Sequence, residues 1–190
     1  MLFEFENFPK EKELIGALLI AYGEIEFALF SLIASVLGDT QDNAVQIFFR
    51  IRGESARIEV SDALVRPSLI NQGLGPKWSN AVGPLRLCKK IRNQYAHCHW
   101  ILISDKLYFI DFDSSVESGS PDTKALMHTV DKALLQKQYE YFSYALDWLY
   151  YLAGEYEFRA GKKDGHSLPE PKSIAAPPLH RPREADVAGR

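Results

Sequence analysis

Apolar residues near the start of the chain recur on the helical rather than the strand period. At about 100° per residue, Leu14, Leu18, Ile25, Leu29, Leu32, Ile33 and Val36 fall on one broad stripe. The spacing predicts a long helix over Pro9–Leu37, with Pro9 tolerated in its first turn and Gly38 as its stop. One residue interrupts the stripe. Glu26 projects between Ile33 and Leu37, whereas Glu24 points to the opposite side. A carboxylate on an apolar face must find a partner or lose its charge. Arg92, Arg57 and Asn93 are the natural partners, and the contact would either orient Arg92 or serve as a structural salt bridge.

A second helix is expected over 42–64, ending before Pro67 because the residue preceding a proline is biased away from helical angles. Asn71, Gly73, Gly75 and Pro76 mark a break, and a further helix is expected over 84–98. The period then changes. The β-branched and aromatic runs from Trp100 to Ile103 and from Leu107 to Ile110, separated by Ser104-Asp105-Lys106, predict a short hairpin. Residues 118–121 read as a loop, and 122–158 as a long helix dense in Tyr, Phe, Trp and Leu. Such a stripe belongs to a core or a dimer seam more often than to a base-stacking platform. The remaining residues, 161–190, hold half of the prolines, almost no aromatics and scattered charge, the composition of a disordered tail. The chain therefore divides into one mainly α domain over 1–160 and a Pro-rich tail over 161–190.

Composition narrows the function classes. With 190 residues, 46% of them hydrophobic, the chain can bury one proper core. A net charge of −3 excludes a generally basic nucleic-acid coat, so contact with nucleic acid would need a local patch. Two cysteines, no apolar leader behind a basic start and no apolar run of about 18 residues argue against disulfide scaffolding, secretion and membrane spanning. A cytoplasmic protein with reduced thiols is the expectation.

Such a patch lies on the helix over 84–98. On a helical wheel Leu87, Cys88, Ile91, Tyr95 and Cys98 gather on one side, while Arg86, Lys89, Lys90, Asn93 and His97 share the other. Asn93 and His97 stand one above the other. Arg92 lies about 140° from His97 around the axis, so the two do not stack, although a long guanidinium can swing over from the flank. A basic face with one histidine is also the ordinary composition of a solvated surface. Its chemistry would nevertheless suit RNA, which carries its own nucleophile in the 2′-hydroxyl. Histidine suits the proton transfer and arginine suits a phosphate and its transition state. That assigns His97 as general base or acid, Arg92 as phosphate stabiliser and Asn93 as positioner, with Arg86, Lys89 and Lys90 guiding the RNA backbone. Products would be a 2′,3′-cyclic phosphate and a 5′-hydroxyl. His97-Cys98-His99 has no partner pair at metal-ligand spacing, and Cys88 and Cys98 read as small core hydrophobes. No phosphate-cradling glycine motif is present. No metal or other cofactor is expected.

The string Arg92-Asn93-Gln94-Tyr95-Ala96-His97, followed by Trp100, a hairpin and a long final helix, resembles the signature of the HEPN superfamily. The resemblance covers most of residues 9–160. It implies an up-down helical bundle with a short β-hairpin between the motif helix and the last helix. It further implies a homodimer in which two copies of the R-x4-H motif form a metal-independent ribonuclease site. Toxins, abortive-infection factors and other anti-phage effectors are the settings it suggests, with a cognate antitoxin as a possible partner. The HEPN toxins silenced by tyrosine modification carry R-x4-H-x-Y, and this chain has His99 at the tyrosine position. Other HEPN domains are non-catalytic dimeric scaffolds or nucleotide-binding modules, which is the competing reading. A purely structural helical protein is the third, and it would leave Arg92 and His97 apart on exposed faces.

Overall fold

Helical periodicity governs most of the chain, and the computed structural model describes residues 5–38, 41–111, 127–165 and 168–181. The described elements run α1 (Pro9–Leu37), α2 (Gln41–Arg50), α3 (Glu54–Asn71), α4 (Gly75–Ala96), β1 (Cys98–Ile103), β2 (Lys106–Asp111), β3 (Met127–Thr129) and α5 (Lys132–Arg159). The architecture is mainly α with one small antiparallel sheet, ordered β1-β2-β3.

α1 has the expected bounds and stops at Gly38, which takes a left-handed φ of 65°. Contrary to the expectation that no such run exists, α1 is long and apolar enough to cross a membrane by length and composition. Half of its most apolar window is buried within the protein. The helix expected over 42–64 is two helices. Gly53, at φ 85°, separates them, and α3 runs through Pro67. The proline leaves the Ala63 carbonyl without a helical donor, but Ala63 is exposed, and Val65 and Leu69 on either side are fully buried. Packing of the apolar face outweighs the local bias. α4 likewise begins at Gly75, well before Pro84, which it also accommodates. The break ahead of it is a Schellman turn: Leu74 N–H donates to Leu69 O at 2.7 Å and Gly73 N–H to Ile70 O at 2.9 Å, with Gly73 at φ 70°.

The hairpin forms as the alternation predicts, with Trp100 opposite Phe109 and Ile103 opposite Lys106. Ser104 and Asp105 both have positive φ, the conformation a two-residue hairpin turn requires. A third strand, β3, pairs with β2 and places His128 opposite Phe109. β2 is thereby the central strand, and Leu107, Tyr108, Phe109 and Ile110 are all buried. β3 falls within the stretch expected to be helical, of which 122–126 lie outside the described residues, and α5 begins at Lys132, where the Asp131 carboxylate accepts from the Ala133 and Leu134 N–H groups. The loop expected over 118–121 lies outside the described residues.

The chain divides into two units. One comprises Met1–Leu19, Lys90–Tyr139 and Pro177–Arg190, and contains the sheet. Its core includes Leu18, Ile91, Tyr95, Phe109 and Leu135. The other comprises Ile20–Lys89 and Glu140–Ala176. It is built on Leu32, Phe48, Leu69, Trp78, Leu85, Phe142 and Leu149, all fully buried. Of the aromatics of α5, Phe142, Trp148, Tyr151 and Tyr156 are buried, while Tyr139, Tyr150 and Phe158 remain exposed. Of the tail expected to be disordered, residues 168–181 carry no helix or strand, yet Pro177 and His180 are buried.

Candidate functional site

The residues of the R-x4-H string occupy the last turn of α4 and its exit. α4 ends at Ala96, so His97 stands outside the helix and is exposed. A wheel extrapolated to residue 97 therefore misplaces it. The half-buried Arg92 does swing over from the flank: its Nη1 donates to Asn93 Oδ1 at 3.0 Å and lies 3.4 Å from His97 Nε2. The second contact is a hydrogen bond when the imidazole proton is on Nδ1. One protomer thus gathers Arg92, Asn93 and His97 into one polar group, with the histidine facing solvent. A guanidinium can donate to phosphate oxygens and an imidazole can exchange a proton, so these side-chain types suit phosphate recognition and proton transfer.

The other expected residues are placed as follows. Arg86 and Lys90, one turn apart on α4, are exposed. Lys89 is half-buried and its Nζ donates to Ser55 Oγ at 2.6 Å. Glu26 takes Arg57 among its candidate partners, with Arg57 Nη1 2.5 Å from Glu26 Oε1. Arg57 also donates to Ile51 O at 3.2 Å and lies 5.3 Å from the Phe49 ring centroid. This ion pair joins α1 to α3, so Glu26 has a structural bond and is not drawn to Arg92 by want of a cation. Among the described residues no group of three His, Cys, Asp or Glu side chains is arranged to hold a metal ion. Burial pushes the Cys98 thiol up to about 12 and raises that of Cys88 as well, keeping both protonated.

Residue patterning misses a second polar group, inside the same unit and on the buried side of the same turn. Gln94 and Tyr95, the middle of the string, turn inward to meet the tail. Gln94 Nε2 donates to His180 O at 2.9 Å, and His180 N–H donates to Gln94 Oε1 at 3.0 Å. Asp131 N–H donates to His180 Nε2 at 2.9 Å, which fixes the ring proton on Nδ1, 2.7 Å from the Tyr95 hydroxyl oxygen. Tyr95 donates in turn to Gln138 Oε1, and Gln138 Nε2 to Pro178 O at 2.9 Å. His128, stacked on Phe109 with ring centroids 4.7 Å apart, donates from Nδ1 to His180 O at 3.0 Å. Burial lowers the His180 pKa to about 4, against a smaller opposing pull from the Asp131 carboxylate. Burial lowers that of His128 too. The signal available in the sequence was a lone histidine among prolines, which no periodicity marks.

No protein-family model matches the chain, and searches of curated proteins and of solved structures return no match. The HEPN resemblance therefore rests on the motif residues and the order of elements around them.

Proposed function

We propose that the chain is a metal-independent endoribonuclease of the HEPN type, acting as a homodimer. The observation that carries this reading is the approach of the Arg92 guanidinium to both Asn93 and His97 at the open end of α4. His97 acts as the general base or acid toward the 2′-hydroxyl and the leaving 5′-oxygen. Arg92 binds the scissile phosphate and stabilises its transition state, and Asn93 holds the guanidinium in register. On binding, a phosphate oxygen replaces the Arg92–His97 contact and leaves the imidazole free for the proton. Exposed Arg86 and Lys90 guide the RNA backbone, with Lys89 contributing once released from Ser55. Because His97 faces solvent at a helix end, a second copy can complete the group, and toxin or anti-phage defence is the setting such an enzyme fits.

The test is incubation of purified protein with mixed RNA in EDTA, with product ends mapped. The expected products carry 2′,3′-cyclic phosphates, and Arg92→Ala and His97→Ala each lower the rate by about 10²-fold or more. A folded dimer that leaves RNA intact would instead favour the non-catalytic scaffold or nucleotide-binding module.

A further inference from the structure

The contacts of the tail are those of a bound peptide. Within it, residues 172–176 ahead of the buried Pro177 are exposed, and none of the tail's described residues lies in a helix or strand. Its backbone is held by side chains of the body: Gln94 pairs with both the N–H and the C=O of His180, His128 adds a bond to that C=O, and Gln138 binds the carbonyl of Pro178. The His180 ring completes a circuit through Tyr95 and Gln138 back to the tail. Without the tail, the side chains of Gln94, Tyr95 and Gln138 would lose these partners inside a buried site. Buried polar groups left unpaired drive rearrangement.

We propose that residues 177–181 form a detachable strap, an extended peptide that fills a recognition slot in the body of the protein. Its docking holds the last turn of α4 so that Arg92, Asn93 and His97 meet. His180 and Gln94 are positioning residues in this arrangement. Gln94 and Tyr95 are drawn inward by the strap, while the half-buried Arg92 and the exposed His97 on either side of them in sequence meet on the other side of the turn. The slot selects for a histidine whose ring both donates at Nδ1 and accepts at Nε2, and for a backbone free to pair with a side-chain amide. The docking stands on contacts alone; its effect on RNA cleavage rests on the ribonuclease reading.

The test uses the full chain with a specific protease site inserted between Lys172 and Ser173, cut after the folded protein is purified. Amide exchange is measured before cutting and after the tail has been displaced by dilution. The expected result is faster exchange, by about tenfold or more, at residues 91–96 and at the Asp131 amide, while the α3 amides keep their rates. A synthetic peptide of residues 173–190 added in excess restores protection, and the same peptide with His180→Ala does not. His180→Ala in the uncut chain provides a second measurement with no loss of covalent connection, and should accelerate exchange over the same residues. Unchanged exchange at residues 91–96 and Asp131 in both experiments overturns the strap. RNA cleavage separates the two readings. Intact protein that cleaves and loses the activity with its tail supports the coupling. Equal cleavage with and without the tail overturns the coupling. Exchange that responds in a protein never active on RNA keeps the docked strap and removes the ribonuclease reading.

Discussion

His180 illustrates how burial and tautomer together fix a residue's behaviour. With Asp131 N–H aimed at Nε2, the ring has no room for a second proton, and burial lowers its pKa to about 4. The groups around it are Tyr95, His128, the Asp131 carboxylate and the Gln94 amide. Because the folded pKa lies below the value of about 6.5 expected of an unfolded chain, the unfolded chain takes up the proton first as the pH falls. The contribution to stability is therefore complete above about pH 6.5, declines as pH falls through the window down to about 4, and is lost below it. On the order of 3 kcal/mol is at stake. Urea unfolding at pH 7 and pH 4.5 should show a larger loss for the wild type than for His180→Asn, and equal losses would refute the assignment. The same scale shows why Arg92 and His97 meet. Six consecutive residues identify the candidate chemistry, but the helix end at Ala96 is what lets an arginine on the flank reach the histidine.

At the scale of elements, sequence signals were most legible where apolar periodicity and turn chemistry agree. α1 ends at its glycine, and the hairpin turns at Ser104-Asp105 between paired aromatic runs. They were least legible at prolines. Pro67 and Pro84 both sit inside helices because buried neighbours hold the helical path, a condition that local propensity does not contain. Gly73 combines two local requirements. Its φ of 70° closes the Schellman turn, and an added Cβ would meet Arg159 Nη1 at 3.3 Å. That guanidinium also donates to Gln72 O at 2.7 Å. Gly73→Ala should therefore lower unfolding free energy by about 1–2 kcal/mol, read as a shift of the urea midpoint, whereas Gly83→Ala, with open space around the position, should leave it unchanged or raised.

For the whole molecule, the decisive question is whether the proposed ribonuclease site is assembled by one protomer or by two. Arg92 and His97 lie together within one chain, while the composite reading brings a second pair to the same phosphate. Mixing Arg92→Ala with His97→Ala protein tests it. In a composite site, heterodimers pair the intact arginine of one protomer with the intact histidine of the other, and the mixture regains on the order of a quarter of wild-type cleavage. In a site complete within each protomer, the mixture stays as inactive as either variant. The sequence by itself determined the helical class, the hairpin and the polar string, because each depends on residues near in the chain whose periodicity and turn preferences agree. Only the tertiary structure decided that Glu26 binds Arg57, that β3 makes β2 a central strand and that the tail returns to Gln94 and Tyr95. Those outcomes depend on which distant groups can satisfy a buried charge, a free strand edge or an unpaired amide. Composition reads the tail as solvent-loving, but a buried slot that supplies donors and acceptors in the right places stabilises it there.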